Sequence, residues 1–114
     1  VLFVGRLHPK KGLHLLIDAL GELFGTSPFE LNIVGPEEDS RYVEYLRNKC
    51  VDLQISSLIN FNGPVYGFAE KAALYRGAWV CVVPSFSEAI GLVNLEAAAN
   101  KCPTITTWDT GLHD

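Results

Sequence analysis

Two glutamates, Glu88 and Glu96, bracket the segment Glu-Ala-Ile-Gly-Leu-Val-Asn-Leu-Glu, which follows Pro84-Ser85-Phe86-Ser87 and sets a carboxylate on either side of Gly91. If Gly91 opens a helix, rotation of about 100° per residue projects Glu96 between Leu92 and Val93, with Ala99 close by on the same side. That places a carboxylate on the inward, apolar face. An unpaired charge buried there costs several kcal/mol or shifts its pKa until it neutralises, so Glu96 requires donors from the protein or from a ligand. Glu88 falls in the loop before the helix, where free N–H groups are found. Two carboxylates facing one bond would suit a glycosidase acid and base. Here one precedes the helix and the other is more than a turn inside it, so they should contact different parts of an elongated ligand.

A second constellation is Gly5-Arg6-Leu7-His8-Pro9-Lys10-Lys11-Gly12, where three fixed cations flank the start of a helix. A helix N-terminus offers unsatisfied N–H groups and a partial positive charge, and guanidinium and ammonium groups beside it complete a site for phosphate. The plainer alternative has Lys10 and Lys11 solvated and Arg6 paired with an acid. Sequence pattern alone leaves both open. The loop matches neither GxxxxGK[ST] nor GxGxxG, so neither a P-loop nor a dinucleotide fingerprint is present.

The elements that must position these groups alternate. Short β-branched or aromatic runs at Val1 to Gly5, Phe29 to Val34, Ile59 to Asn62, Val80 to Val83 and Thr104 to Thr106 read as strands. Between the first two, Leu13, Leu16, Ile17, Leu20 and Phe24 fall at helical spacing. A second helix runs from about Ser40 into the fifties on Tyr42, Val43, Leu46, Cys50 and Leu53. A third covers roughly Phe68 to Arg76, and a fourth begins near Gly91. This alternation predicts an α/β, doubly wound, Rossmann-like parallel sheet with crossover helices. Such sheets bind ligands beyond the carboxyl ends of their strands. The loops concerned are Arg6 to Lys11, Gly35 to Asp39, Gly63 to Gly67 and Pro84 to Ile90.

With 114 residues, 48% hydrophobic and 19% charged, the chain is expected to form one domain, residues 1–114. It should bury roughly 60 to 70% of its unfolded surface. A net charge of −4 and a pI near 5.3 argue against a nucleic-acid binder, which would carry a basic stripe. Cys50, Cys81 and Cys102 are odd in number, widely spaced and without a CxxC pair, so neither a disulfide framework nor a zinc site is expected. Reduced thiols suggest the cytoplasm. No apolar run approaches a membrane span and no signal peptide opens the chain. The chain begins inside a strand-like run, lacks methionine and stops on a turn-like sequence, so an excerpt of a longer protein is expected.

Several of these residues carry a resemblance. Gly5-Arg6-Leu7 with Lys11-Gly12, then Ile33-Val34-Gly35, Phe61-Asn62-Gly63, Leu74-Tyr75, Pro84-Ser85, Glu88-x7-Glu96 and Thr110-Gly111 occur in the order found in one family. The chain resembles the C-terminal, donor-binding domain of a retaining, GT-B-fold glycosyltransferase of family four (glycosyl transferases group 1), over essentially its whole length. The resemblance implies transfer of a sugar from a nucleotide-diphosphate sugar to a sugar or lipid-linked acceptor, which the missing N-terminal domain would hold. Any peripheral attachment to a membrane would also reside there. It further implies that Arg6 and Lys11 bind the diphosphate, Glu88 the donor-sugar hydroxyls and Glu96 the ribose hydroxyls. The N–H groups of Gly91, Leu92 and Val93 would add donors, and Val65 would lie against the nucleobase. No metal or other cofactor is implied. Ionised carboxylates accept only and suit vicinal diols, while cations suit a leaving diphosphate whose charge grows in the transition state.

The sequence also departs from the family pattern. Lys101 replaces a glycine soon after the fourth helix, with Asn100 expected to take the left-handed turn instead. Ile90 stands where phenylalanine is usual, Thr110 replaces the first of two glycines, and Asp114 the terminal glutamate. Plainer readings accompany the assignments. Glu88 could simply favour the helix N-terminus, and a lysine or arginine could satisfy Glu96. Ser85 and Ser87 lie in no GxSxG elbow. His8, His14 and His113 read as loop or helix-surface residues, and Trp79 and Trp108 as core or edge aromatics. The Lys101 and Thr110 changes lean toward a rival reading, a non-catalytic nucleotide-sugar-binding regulatory module. Intact Arg6, Lys11, Glu88 and Glu96 lean against it. A generic phosphate-binding Rossmann-like domain is the third.

Overall fold

The computed structural model of the chain describes residues 1–23, 25–26, 28–85 and 92–106. Among these residues five strands, β1 (Leu2–Val4), β2 (Leu31–Val34), β3 (Ile59–Gly63), β4 (Cys81–Val83) and β5 (Thr104–Thr106), form one parallel sheet in the order β3-β2-β1-β4-β5. Four α-helices connect them: α1 (Leu13–Glu22), α2 (Ser40–Asp52), α3 (Phe68–Gly77) and α4 (Leu92–Ala99). The doubly wound class is the one expected, and strands and helices occur in the expected order, the described part of the fourth helix beginning at Leu92. Phe24, the last residue of the first helix's apolar stripe, lies outside the described residues, as do Glu88, Gly91, Ile90, Ser87, Trp108, Thr110, His113 and Asp114.

Side chains alternate across the sheet with the period of two that a pleated strand imposes. Phe3, Leu31 and Ile33 join α1 and α2 through Leu13, Leu16, Ile17, Leu20, Tyr42, Val43 and Leu46. Leu2, Val34, Cys81 and Val83 point the other way, onto Tyr75 of α3 and Ala97 of α4. Two apolar layers therefore clamp the sheet. Because strand order reverses beside β1, a crevice opens at the carboxyl ends of the strands, next to the first loop.

Local chemistry fixes the helix ends. Asp39 caps α2, its carboxylate accepting from the Tyr42 N–H at 3.0 Å. Tyr42 in turn serves α1: the backbone N–H of His14 donates to its hydroxyl at 3.0 Å, and the His14 Nδ1 lies 2.7 Å from the same oxygen. One phenol thus satisfies an orphan first-turn donor and joins two helices.

The end of α4 corrects one expectation. Lys101 itself adopts the left-handed conformation (φ 59°), with its N–H bonded to the Ala98 carbonyl at 3.0 Å and that of Cys102 to Ala97 at 2.8 Å. This is a Schellman closure with lysine at the position that favours glycine. Asn100 does not take the turn; its side-chain amide donates to the Glu96 carbonyl at 2.9 Å. Hydrogen bonding recruits Asn100 for the helix and passes the strained conformation one residue on. Of the two expectations for Trp79, core or edge, the core one is excluded, since it is 91% exposed on the bend before β4.

Two stability outcomes follow. Lys101→Gly relieves a left-handed residue and is expected to stabilise the chain by about 1 kcal/mol in urea unfolding. Burial lowers the His14 pKa from its ordinary 6.5, outweighing the opposing Asp18 carboxylate. The unfolded chain therefore takes up a proton first as pH falls below about 6.5, and stability declines until the folded imidazole also titrates. Urea midpoints between pH 7.5 and 5 should show this decline, flattened in His14→Gln.

Candidate functional site

Backbone contacts build the floor of the crevice before any side chain enters it. The Gly5 N–H bonds to Val34 at 2.9 Å, the Leu7 N–H to Pro36 at 3.0 Å and the Gly35 N–H to Gly63 at 3.0 Å, tying together the loops after β1, β2 and β3. A Cβ at Gly35 would collide with the Gly5 carbonyl, and one at Gly12 with the Pro84 carbonyl. Gly12 also has φ 71°, the left-handed region. Only glycine allows these strand ends and the α1 entry to approach so closely.

The resulting cleft has a volume of about 460 Å³ and is lined by Val4, Gly5, Arg6, Lys11, Val34, Gly35, Pro36, Pro64, Val65, Tyr66, Lys71, Leu92, Val93 and Glu96. A few convergent polar groups on apolar walls, at this size, are typical of a small-molecule site. Of the residues that sequence reasoning singled out, Arg6, Lys11, Val65, Leu92, Val93 and Glu96 all line it. Glu88 and Gly91 are outside the described residues. Sequence reasoning missed Lys71 and Tyr66.

Positive charge enters from the first loop. His8 caps a short 3-10 turn over Pro9–Lys11, its Nδ1 accepting from the Lys10 N–H at 3.2 Å, and Leu7 is buried beneath. Pro9 at the first position of that turn was a readable signal. The two alternatives for Arg6 prove compatible: its guanidinium lines the cleft and also meets Glu38 at 3.1 Å. Both partners are about half exposed, so the pair contributes at most about 1 kcal/mol. Hydrogen bonds to an ionised phosphate, at about 1.5–3 kcal/mol each, are sufficient to displace it.

Glu96 requires a correction. It is not on the core face: its side chain is 39% exposed and faces the cleft beside Leu92 and Val93, while Ala97 is the buried residue of α4. Leu92 is 63% exposed and Ala99 is exposed too. The apolar stripe at the start of α4 walls the cleft, which is why it looked like a core face in the sequence. A lysine does partner the carboxylate, since Lys71 Nζ lies 3.6 Å from one oxygen, and the Tyr75 hydroxyl donates to the other at 3.5 Å.

Ser85 and the three cysteines are withdrawn from solvent. Ser85 is 1% exposed. Cys50, Cys81 and Cys102 are free and buried, and burial, with the neighbouring Cys102 and Glu96, pushes the Cys81 thiol up to about 12. No described helix is long and apolar enough to cross a membrane.

A family model described as "Glycosyl transferases group 1" matches residues 1–114. Among curated relatives, the D-inositol 3-phosphate glycosyltransferase of Corynebacterium efficiens is 39% identical over 98% of this chain, and an uncharacterised glycosyltransferase of Methanocaldococcus jannaschii is 38% identical over 98%. The chain spans 27% and 28% of those proteins, about a quarter of their length. Among solved structures, HepE of Anabaena in complex with UDP and glucose superposes with TM-score 0.88 and 25% identity, covering 98% of this chain and 30% of its own. Sucrose-phosphate synthase of Thermosynechococcus elongatus gives TM-score 0.85 and 28% identity, covering 97% and 28%.

Glu38 competes with any anion for Arg6. Glu38→Gln is therefore expected to tighten inorganic pyrophosphate binding about two- to fivefold in calorimetry at low salt. Unchanged binding would mean that Arg6 does not reach the anion.

Proposed function

The chain belongs to the glycosyl transferases group 1 family, and on that premise we propose that its cleft binds the nucleotide-diphosphate sugar of a retaining glycosyltransferase. One observation carries the reading: a single cleft beyond the strand ends presents Arg6 and Lys11 from the β1 loop and the Glu96 carboxylate from α4. Cations and carboxylate match the two polar parts of such a donor, its diphosphate and its ribose diol. The structural likeness to HepE in complex with UDP and glucose supports the same class of ligand.

The chemistry expected of this half is orientation and charge stabilisation. As the bond from sugar to diphosphate breaks, negative charge grows on the departing phosphate oxygens, and Arg6 and Lys11 stabilise it. Those cations compensate the charge, so the reading calls for no metal. Val65, in the loop after β3 and among the residues lining the cleft, meets the nucleobase. Glu88 is assigned to the donor-sugar hydroxyls on the resemblance alone, with the N–H groups of Gly91, Leu92 and Val93 adding donors. Retention of configuration, and an acceptor held by a further domain, belong to the same proposal. The turn at Lys101 keeps a helix closure of the glycine type. That weakens one of the two departures leaning toward a non-catalytic regulatory module.

In the complete enzyme, Lys11→Ala and Glu88→Ala should each lower transfer at least about 100-fold, in line with the loss of one transition-state donor. Turnover unchanged in both would favour the regulatory module. The 114-residue chain alone is expected to bind donor weakly and transfer nothing, which a radiolabelled-sugar assay checks directly.

A further inference from the structure

Lys71 and Tyr75 stand four residues apart on α3 and therefore share one face of that helix. Both are turned to Glu96 of α4. Lys71 Nζ lies 3.6 Å from Oε2, and the Tyr75 hydroxyl lies 3.5 Å from Oε1. Neither α3 residue was given a role toward the donor above, although Leu74-Tyr75 is among the motifs that carry the resemblance.

We propose that Lys71 and Tyr75 are positioning residues that hold the Glu96 carboxylate, one oxygen each, in the conformer that accepts a ribose diol, and thereby set discrimination between ribose and 2′-deoxyribose. This rests on the assignment of Glu96 to the ribose given above.

The two holders differ in stiffness. Tyr75 is 1% exposed and packed among Leu2, Val34, Cys81 and Ala97, so its ring is fixed by the second core layer. A buried phenol requires a partner for its hydroxyl, and among the described residues Glu96 accepts from it. Burial, reinforced by the Glu96 charge, holds this phenol well above the usual tyrosine range, so it remains a donor at any working pH. Lys71 is one-third exposed and supplies the mobile side of the clamp.

A carboxylate offers about four lone-pair sites. The Tyr75 hydroxyl takes one on Oε1 and the Lys71 ammonium faces Oε2 as an ion pair at 3.6 Å, which leaves at least one on each oxygen for the cleft. A vicinal diol needs both at once. An unheld glutamate on an exposed helix face would lose side-chain freedom on binding, and that loss weakens the second hydrogen bond first. Holding the carboxylate in advance therefore favours the ligand that uses both oxygens over one that uses a single oxygen.

The test measures Kd by calorimetry in the complete protein for UDP, GDP and ADP and for their 2′-deoxy counterparts. For whichever base binds, the native protein should prefer the ribonucleotide by roughly tenfold. Tyr75→Phe should reduce that ratio about threefold or more while leaving 2′-deoxynucleotide affinity nearly unchanged. Lys71→Gln removes a cation that lines the cleft and should reduce the ratio by a similar factor on top of any equal loss for both nucleotides, and Lys71→Arg should retain the ratio. A structural role alone would weaken both nucleotides equally. If Glu96→Gln collapses the ratio but Tyr75→Phe and Lys71→Gln leave it intact, with or without an equal loss for both nucleotides, the clamp is wrong and the ribose assignment stands. If Glu96→Gln itself leaves the ratio intact, the ribose assignment fails and the clamp with it.

Discussion

Close approach of backbones at the carboxyl ends of the strands is the constraint on which the site depends. Gly35 admits the Gly5 carbonyl and Gly12 the Pro84 carbonyl, at separations that no side chain would permit. These contacts draw the β1 and β2 loops together and bring the entry of α1 against the segment after β4. Without them the cations of the first loop and the carboxylate of α4 would not share a cavity. The sheet fixes where the crevice opens, and the glycines fix how narrow it is.

Within that frame, charge is divided rather than pooled. Arg6 and Lys11 come from the β1 loop, and Glu96 comes from a helix that follows β4. In a protein of net charge −4, a local cationic site needs shielding from the acidic background. Glu38 supplies a resident counter-ion for Arg6 at the rim, while Lys71 does the same for Glu96. Arg6 and Glu96 are thus each paired before a ligand arrives, and the half-exposed Arg6–Glu38 pair is weak enough to give way to an anion.

Much of this was legible in the sequence because it depends on periodicity and on order. The stripe Leu13, Leu16, Ile17, Leu20 and the alternation of apolar runs gave α1 and the strands, since burial on one face enforces those spacings. The cleft residues Arg6, Lys11, Val65 and Glu96 were accessible through several motifs in register, each placed after a strand. What escaped notice depended on three-dimensional proximity. Lys71 has no distinctive neighbours in sequence, and only the packing of α3 on α4 brings it to Glu96. The apolar Leu92 and Val93 make the Glu96 side of α4 read as a core face, and a sequence cannot tell a cleft wall from a core. Lys101 was missed because propensity favours asparagine in a left-handed turn, yet the Asn100 amide is held by the Glu96 carbonyl.

The central claim is that this cleft recognises a whole nucleotide sugar and not phosphate alone. Thermal unfolding of the chain with UDP-, GDP- and ADP-sugars, set against inorganic pyrophosphate, tests it most directly. A ligand that binds only the folded state, at about 100 times its Kd, adds roughly 2.7 kcal/mol, which for a domain of this size is a shift on the order of 10 °C. The account predicts such a shift for one base in preference to the others, with a much smaller one for pyrophosphate at equal concentration. Equal shifts for pyrophosphate and every nucleotide sugar would contradict it and leave a generic phosphate-binding domain.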